Sequence, residues 1–245
     1  MIRCIITLIF VFLFLFLSLP ILLVEWIIGK FNPALKDASC DWFVKLAFKV
    51  IVGCTGSKIT AIGTENIPPK GTGAVYIGNH RSYFDVIITY LYMPTVTCFI
   101  AKKEMNKVPS LRIWMRNIHC LFLDRDDIKQ GMKVILDAIQ LVKDGISVVI
   151  FPEGTRNKVN DTFLPFKGGS FKVATKSGCD IIPLSIVNSA AIYEDHKPKI
   201  CKSHVIIEFG KPIRTSELSK EEQKALPDTV RDIVIETYYK NKALL

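Results

Sequence analysis

The sequence lacks the residue spacings of two common kinds of catalytic centre. Its seven cysteines are odd in number and none belongs to a CxxC pair, which argues against a zinc site and favours free thiols in a reducing compartment. No serine lies in a G-x-S-x-G turn, because Gly168-Gly169-Ser170-Phe171-Lys172 lacks the final glycine. This second absence argues against a serine lipase or thioesterase.

Internal repeats, low-complexity tracts and long linkers are also missing. The 245 residues suffice for one sizeable domain with an appendage, or for two small domains at most. The net charge of +9, from 32 basic and 23 acidic side chains, suits an anionic membrane surface, a phosphate-bearing substrate or nucleic acid. Nucleic acid is the weakest of these, because the lysines are spread along the chain and no nucleic-acid motif is present.

An uncharged, strongly apolar segment runs from Cys4 to Val24. At about 1.5 Å per residue, a helix of this length spans the hydrocarbon core of a bilayer, so we predict a membrane segment. No small-x-small cleavage site follows it, which favours retention over removal as a signal peptide. Pro20 can kink or end the helix, which leaves a full crossing and a shallow in-plane insertion both open.

The charges around this segment predict its orientation. Arg3 precedes it, whereas Lys30, Lys36, Lys45 and Lys49 follow it. Positive charge concentrates on the cytoplasmic side of membrane segments. We therefore expect a membrane-bound protein whose main domain lies on the cytoplasmic face of the cell membrane or of an internal membrane.

A second helix is predicted over residues 41–52. It places apolar residues at helical spacing, with Trp42 at its start and two lysines one turn apart. This pattern is typical of an interfacial amphipathic helix and equally of a helix that faces a soluble core. We accordingly divide the chain into membrane-anchoring helices over residues 1–57 and a catalytic domain over residues 58–245.

Beyond residue 58, short apolar runs alternate with amphipathic stretches, which is typical of an α/β fold. The candidate strands are Ala74–Ile77, Thr97–Ala101, Cys120–Leu123, Ser147–Phe151, Ile181–Val187 and His204–Phe209. The clearest helix is predicted over Asp126–Lys143, with one face formed by Ile128, Met132, Ile135, Ile139 and Val142.

A histidine and an aspartate, His80 and Asp85, follow the first of these strands in Asn79-His80-Arg81-Ser82-Tyr83-Phe84-Asp85. On one continuous helix, residues five apart lie on different faces, so a contact between them requires a break. Gly78 ends the strand and Ser82 is suited to cap a helix that contains Asp85 in its first turn. A neutral imidazole held by a carboxylate can take a proton from an alcohol, which predicts acyl transfer without a serine. The alternative is a loop histidine beside an aspartate that stabilises the helix dipole.

Cations follow the ends of several predicted strands. Phe151-Pro152-Glu153-Gly154-Thr155-Arg156-Asn157 brings a carboxylate, a hydroxyl and a guanidinium to one strand end. Lys102 follows a second strand and Arg125 a third. If these strands are neighbours, the cations would form an anion site, and the planar fork of an arginine suits a phosphate. The alternative for the Glu153 loop is a surface turn with an internal ion pair.

The two motifs together resemble those of the glycerophospholipid acyltransferase family. The first block of that family reads NHxSxxD and the third FPEGTR, and residues 79–85 and 151–156 match both in order. Ile182-Pro183-Leu184 is similar to the fourth block. The resemblance covers roughly residues 60–215.

The second block of the family is matched in part. Val108-Pro109 and Phe122-Leu123-Asp124-Arg125 fit it, whereas Arg112 and His119 stand where glycines are usual. The family uses this block for its acceptor, so the departure concerns the shape of the acceptor pocket rather than the chemistry.

The resemblance implies a single acyltransferase domain with a mixed β-sheet flanked by helices, preceded by a helical membrane anchor. It implies transfer of a fatty acyl group from acyl-CoA or acyl carrier protein to the sn-2 hydroxyl of 1-acyl-sn-glycerol 3-phosphate, making phosphatidate. His80, oriented by Asp85, would deprotonate that hydroxyl without an acyl-enzyme. The residues implied to bind the acceptor phosphate are Arg125, Glu153, Gly154, Thr155 and Arg156.

Two details of this site follow from the residues themselves. Lys102 is a further candidate for the phosphate, because it lies at a strand end. Glu153 is expected to organise its loop rather than contact phosphate, since a carboxylate beside a phosphate dianion is repulsive.

We expect no metal and no cofactor beyond the acyl donor as co-substrate. The expected partners are the membrane lipid acceptor and acyl-CoA or acyl carrier protein, since a basic surface suits both anionic lipid and an acidic carrier protein. Two alternatives stay open. One is the same chemistry on glycerol 3-phosphate or another lysophospholipid, and the other is a non-catalytic membrane-anchored scaffold.

Overall fold

The computed structural model describes all residues from Met1 to Leu245. Its helices are α1 (Ile2–Leu17), α2 (Leu19–Phe31), α3 (Pro33–Thr55), α4 (Tyr83–Tyr92), α5 (Pro109–Asn117), α6 (Ile128–Lys143), α7 (Lys172–Ser177) and α8 (Lys220–Lys242). Its strands are β1 (Lys58–Ile62), β2 (Val75–Gly78), β3 (Cys98–Lys102), β4 (Leu121–Leu123), β5 (Val148–Ile150), β6 (Asp180–Val187), β7 (His204–Phe209) and β8 (Ile213–Arg214).

The strands form one mixed sheet in the order β1-β7-β6-β2-β5-β3-β4, with β8 paired to β6. Five neighbours, β6, β2, β5, β3 and β4, run parallel to each other, and β7 is antiparallel to β6. The carboxyl ends of the five parallel strands therefore lie along one edge of the sheet. Ligands of open α/β sheets bind at this edge, where the loops that follow the strands meet.

Helices cover both faces of this sheet. One apolar core joins buried residues of α1 to α5 to strand residues such as Tyr76 and Leu184. The other joins α6, α7 and α8 to strand residues such as Val75 and Ile77. Val75, Tyr76 and Ile77 thus alternate between the two cores, as the two-residue period of a strand requires. The predicted α/β fold with a mixed sheet flanked by helices is confirmed.

The apolar segment predicted over residues 4–24 is two helices rather than one. It breaks at Ser18, and Pro20 lies in the first turn of α2, where its missing N–H costs no hydrogen bond. The indole of Trp114 on α5 donates to Ser18 Oγ at 2.9 Å, which ties the break to the domain. No single helix is long and apolar enough to cross a membrane, although α1 and α2, bent by 48°, meet that test as a pair.

The helix predicted over residues 41–52 is part of the longer α3. It begins beyond Asn32, whose side chain accepts from the backbone N–H of Leu35. Val44, Ala47 and Ile51 are buried against the domain, whereas the apolar side chains of Leu46 and Val50 are exposed. One side of α3 therefore packs against the domain, and the interpretation of its other side as interfacial stays a prediction.

Gly78 at the end of β2 holds the loop that carries His80 close to β6. A Cβ atom at this position would lie 2.5 Å from the backbone oxygen of Leu184, which cannot move without distorting β6. We expect Gly78→Ala to lower the free energy of unfolding by about 1–3 kcal/mol, the usual cost of overpacking. Urea denaturation measures this loss. Gly169→Ala is the matched control, since its added methyl meets nothing within 4 Å, and an equal loss in both variants would contradict the explanation.

Candidate active site

The loop after β2 is held to the neighbouring strand β6 by Asn79. Its side-chain amide donates to the Ile186 oxygen at 2.8 Å, and its carbonyl accepts from the Ile186 N–H at 2.9 Å. This side chain is buried and continues the pairing of β2 with β6 beyond the end of β2. His80 therefore leaves the sheet in a fixed direction.

His80 and Asp85 form a hydrogen-bonded pair. Nδ1 of His80 lies 2.8 Å from Oδ2 of Asp85, and Asp85 is fully buried. Ser82 caps α4, and Asp85 lies in the first turn of that helix. The same Oδ2 accepts the backbone N–H groups of Arg81 and Ser82, each at 2.7 Å. The break between the two residues thus brings their side chains together.

The geometry leaves the second nitrogen of His80 available. The carboxylate of Asp85 only accepts, so Nδ1 carries the proton and Nε2 has a free lone pair. Nε2 makes no hydrogen bond within the chain, and the imidazole stacks on the ring of Phe151 with centroids 4.3 Å apart. The side chain is 17% exposed, so a bound alcohol can reach it. Such a nitrogen can act as a general base.

Glu153 lies behind the loop that carries His80. Its Oε1 accepts the backbone N–H of His80 at 2.8 Å, and its Oε2 accepts that of Leu164 at 3.1 Å. Burial raises the pKa of this carboxyl, and the two backbone hydrogen bonds oppose the rise. The buried carboxylate therefore joins the loop after β2 to a second point of its own loop, the one after β5, and both its oxygens are engaged.

Arg156 lies beside the start of α4. Its guanidinium covers the ring of Tyr83 at 3.7 Å, and its Nη1 donates to Glu194 at 3.1 Å. The backbone N–H of the next residue, Asn157, donates to the His80 oxygen at 2.8 Å. This hydrogen bond brings the loop of Arg156, after β5, against the loop of His80, after β2.

Gly154 and Thr155 form the turn between Glu153 and Arg156. Gly154 has a φ of 72°, a conformation that glycine adopts without strain. Thr155 is exposed and its hydroxyl makes no hydrogen bond within the chain. A Cβ at Gly154 would lie 2.9 Å from Nζ of Lys167, so this lysine adds a cation to the turn that we did not include in the predicted site.

The other two predicted cations lie further along the same edge. Lys102 ends β3, and Arg125 follows β4. At about 4.8 Å per strand they are roughly 10 and 14 Å from the line of β2. The side chain of Lys102 is 56% exposed and pairs with Glu104 at 3.1 Å, and Arg125 is exposed. The structure therefore does not bring these two cations into contact with the His80 and Arg156 loops.

Of the two positions of the second block that lack glycine, His119 lies away from this site. His119 precedes β4 and therefore lies at the opposite edge of the sheet from His80. Its φ of 62° is the left-handed conformation that favours glycine, and its Nε2 lies 3.0 Å from Asp37 of α3. Arg112 lies on α5, on the face of the sheet that carries the N-terminal helices. The departure at His119 thus affects the contact with α3.

Glu194 is a site residue that the sequence analysis missed. It follows β6 in the segment Tyr193-Glu194-Asp195 and reaches Ser82, 112 residues earlier in the chain. Its only sequence signal is an acidic pair after an apolar strand, which is common on protein surfaces. Nowhere in the chain do three His, Cys, Asp or Glu side chains come close enough to hold a metal ion.

Comparison with known proteins identifies similar chains. A family model described as Acyltransferase matches residues 58–187. A 1-acyl-sn-glycerol-3-phosphate acyltransferase of Helicobacter pylori is 34% identical over 176 residues, which cover 68% of this chain and 74% of that protein. One from Borreliella burgdorferi is 29% identical over 192 residues, 78% of this chain and 76% of the relative.

A solved structure shares the fold. The crystal structure of the 1-acyl-sn-glycerophosphate acyltransferase PlsC from Thermotoga maritima superposes with a TM-score of 0.81. The match covers 98% of this chain and 95% of that chain, at 24% sequence identity.

Proposed function

This chain belongs to the acyltransferase family, and from that premise we propose that it acylates the sn-2 hydroxyl of 1-acyl-sn-glycerol 3-phosphate to make phosphatidate. The observation that carries the proposal is the His80–Asp85 pair with Nε2 of His80 free, against a loop that carries Arg156. His80 would then act on the sn-2 hydroxyl while the guanidinium of Arg156 binds the phosphate, two groups that are a few bonds apart on the acceptor.

In the proposed reaction, Nε2 of His80 takes the proton of the sn-2 hydroxyl as its oxygen attacks the carbonyl carbon of the acyl thioester. The C–O bond forms, the C–S bond breaks, and the proton leaves with the thiolate as a free thiol. Asp85 stabilises the imidazolium that exists between these transfers. No acyl-enzyme forms, and no cofactor is needed beyond the donor, acyl-CoA or acyl carrier protein.

The acceptor phosphate is proposed to bind Arg156 together with Thr155 and the N–H groups around Gly154. A guanidinium forms parallel charge-assisted hydrogen bonds with a phosphate, and its Tyr83 platform fixes its plane. We propose that Lys102 and Arg125 attract the anionic acceptor at longer range, because neither contacts this loop. Glu153 is proposed to support the loop from behind, since both its oxygens accept backbone N–H groups.

The lipid acceptor explains the apolar N-terminus. Most large apolar side chains of α1 and α2 are exposed, including Phe12, Phe16 and Trp26. We propose that this bent pair associates with the membrane that supplies the acceptor, with the catalytic domain on its cytoplasmic face. Ser110 Oγ on α5 donates to the Leu15 oxygen at 2.7 Å and keeps α1 against the domain.

We expect detergent-solubilised protein to transfer a labelled palmitoyl group to lysophosphatidate and to leave lysophosphatidylcholine and glycerol 3-phosphate unlabelled. The phosphate monoester of lysophosphatidate fits Arg156, whereas a choline headgroup adds bulk and a positive charge beside it. The assay supplies palmitoyl-CoA and palmitoyl acyl carrier protein separately. Label on another acceptor would contradict the proposed substrate, and transfer to none of them from either donor would contradict the proposed activity.

A further inference from the structure

Glu194 is a nearly buried carboxylate whose two oxygens are both engaged. Its side chain is 11% exposed. Oε2 accepts from Ser82 Oγ at 2.6 Å, and Oε1 accepts from the backbone N–H of Tyr83 at 2.9 Å and from Nη1 of Arg156 at 3.1 Å. It therefore lies at the amino terminus of α4, where the helix dipole and unpaired N–H groups favour a negative charge.

The same contacts hold one edge of the Arg156 guanidinium. One nitrogen is hydrogen-bonded to Glu194, and the plane lies over the Tyr83 ring at 3.7 Å. A guanidinium has five N–H groups, and the others on Arg156 make no hydrogen bond within the chain. Arg156 is 31% exposed. Its free edge is thus held in a defined direction and remains open to solvent.

Two of the three donors to Glu194 do not involve Arg156. Ser82 and Tyr83 bind it through the start of α4, and these donors do not depend on the arginine. A phosphate that binds the free edge of Arg156 therefore need not displace Glu194. The carboxylate is a poor direct ligand for a phosphate, because two negative charges at contact distance repel each other.

We infer that Glu194 is a positioning residue, which fixes the guanidinium of Arg156 so that its free edge binds the phosphate of the acceptor. The inference rests on the proposed function, since it names the residue that orients the phosphate ligand. In this role Glu194 acts on the acceptor through Arg156, while its contacts with Ser82 and Tyr83 hold the carboxylate in place. It therefore affects acceptor binding and leaves the proton transfer at His80 and the binding of the acyl donor unchanged.

The test compares Glu194→Gln and Glu194→Ala in steady-state kinetics. Charge-assisted hydrogen bonds are stronger than neutral ones. We expect the KM for lysophosphatidate to rise about fivefold in Glu194→Gln and about twentyfold in Glu194→Ala. We expect kcat and the KM for palmitoyl-CoA to change less than about twofold. The glutamine can still bond with Ser82 and Tyr83, so its thermal midpoint should stay close to that of the wild type.

A double-mutant cycle with Arg156→Ala separates positioning from a general structural role. If Glu194 acts through Arg156, Glu194→Gln adds no further rise in KM once the arginine is absent. Glu217→Gln is the matched control, because it removes the same charge from a surface pair with Arg214 of similar length, 3.0 Å. Its kinetic constants should equal those of the wild type.

Two results would overturn this inference. One is a lower KM for lysophosphatidate in Glu194→Gln, which would mean that the carboxylate competes with the phosphate. The other is that Glu194→Gln raises this KM as much in the Arg156→Ala background as in the wild type, which would mean that Glu194 does not act through Arg156. Either result overturns the proposal. Binding of 1-oleoyl lysophosphatidate in detergent micelles without a donor provides the same comparison independently of turnover. A wild-type protein that binds this lipid but transfers nothing would therefore contradict the proposed function alone.

Discussion

The His80→Ala protein is expected to lose acyl transfer to lysophosphatidate by about 10² to 10⁴ in kcat, the range that a positioned general base contributes. Only Nε2 of His80 is both free and reachable in the pair, because Nδ1 is bound to Asp85 at 2.8 Å. The proposed phosphate ligands lie on the loop after β5, which this substitution leaves unchanged. The KM for lysophosphatidate should therefore change less than about threefold.

The chain provides a matched control for this substitution. His119 forms a second histidine–aspartate pair with Asp37, at 3.0 Å, but at the opposite edge of the sheet. His119→Gly removes that imidazole and places glycine at a φ of 62°, which glycine adopts without strain. We expect its kcat to stay within about threefold of the wild type. Transfer at the wild-type rate by His80→Ala would refute the proposed chemistry, and an equal loss in both variants would indicate a general effect of removing imidazole.

The pairing of His80 with Asp85 could be predicted because all its signals are local. Gly78 and Ser82 mark the end of a strand and the start of a helix within a few residues. Their order alone allows a histidine on the loop to meet an aspartate in the first turn. The contact of Glu194 with Ser82 has no such signal, since it depends on how β6 is placed beside β2 across 112 residues. Local patterns do not determine which strands become neighbours.

The bounds of all six strand candidates agree with the structure to within one residue, yet β1 and β8 were missed. β1 mixes polar and apolar residues in Lys58–Ile62, and it pairs only with β7, far along the chain. β8 is two residues long. The periodicity that identifies a buried strand needs a longer run with one face consistently apolar.

The helix α6 shows a second limit of periodicity. Ile128 and Met132 were predicted to face the core, but they are 82% and 64% exposed, while Val134, Ala138 and Val142 are buried. The helix has 16 residues, whereas β4, the edge strand that it contacts, has three. At about 1.5 Å and 3.3 Å per residue, the helix is more than twice as long as the strand. At about 100° per residue, Val134 and Ala138 also lie to one side of the predicted face, so the pattern gave neither the direction of the buried face nor the amount of sheet beneath it.

The positions of Lys102 and Arg125, the two predicted cations that lie apart from the site, also depend on the strand order. Lys102 and Arg125 do lie at the carboxyl ends of parallel strands, on the same edge as His80. The order β2-β5-β3-β4 separates them from β2 by two and three strands. Sharing an edge was predictable from the fold class, whereas closeness depends on the strand order.

Asp85→Asn is expected to lower kcat by about 10² to 10³, and the structure specifies why. Oδ2 of Asp85 accepts the backbone N–H groups of Arg81 and Ser82 as well as Nδ1–H of His80. An asparagine must therefore place its oxygen there, because its NH₂ group would oppose two donors. The imidazole keeps its tautomer, and only the negative charge is lost. A charge pair near 4 Å is worth up to about 4 kcal/mol at an effective dielectric constant of 20, which limits the fall to about 10³.

The measurement combines kcat with the tautomer of His80 from its ¹⁵N resonances. We expect Nδ1 to stay protonated in Asp85→Asn while kcat falls and the KM for lysophosphatidate holds within about threefold. Asp37→Asn is the matched control, since it changes the partner of His119 in the same way and should leave kcat within about twofold. If the tautomer inverts, loss of orientation rather than loss of charge explains the defect. If kcat is unchanged, no imidazolium forms in the slow step, and His80 cannot be the base that this geometry requires.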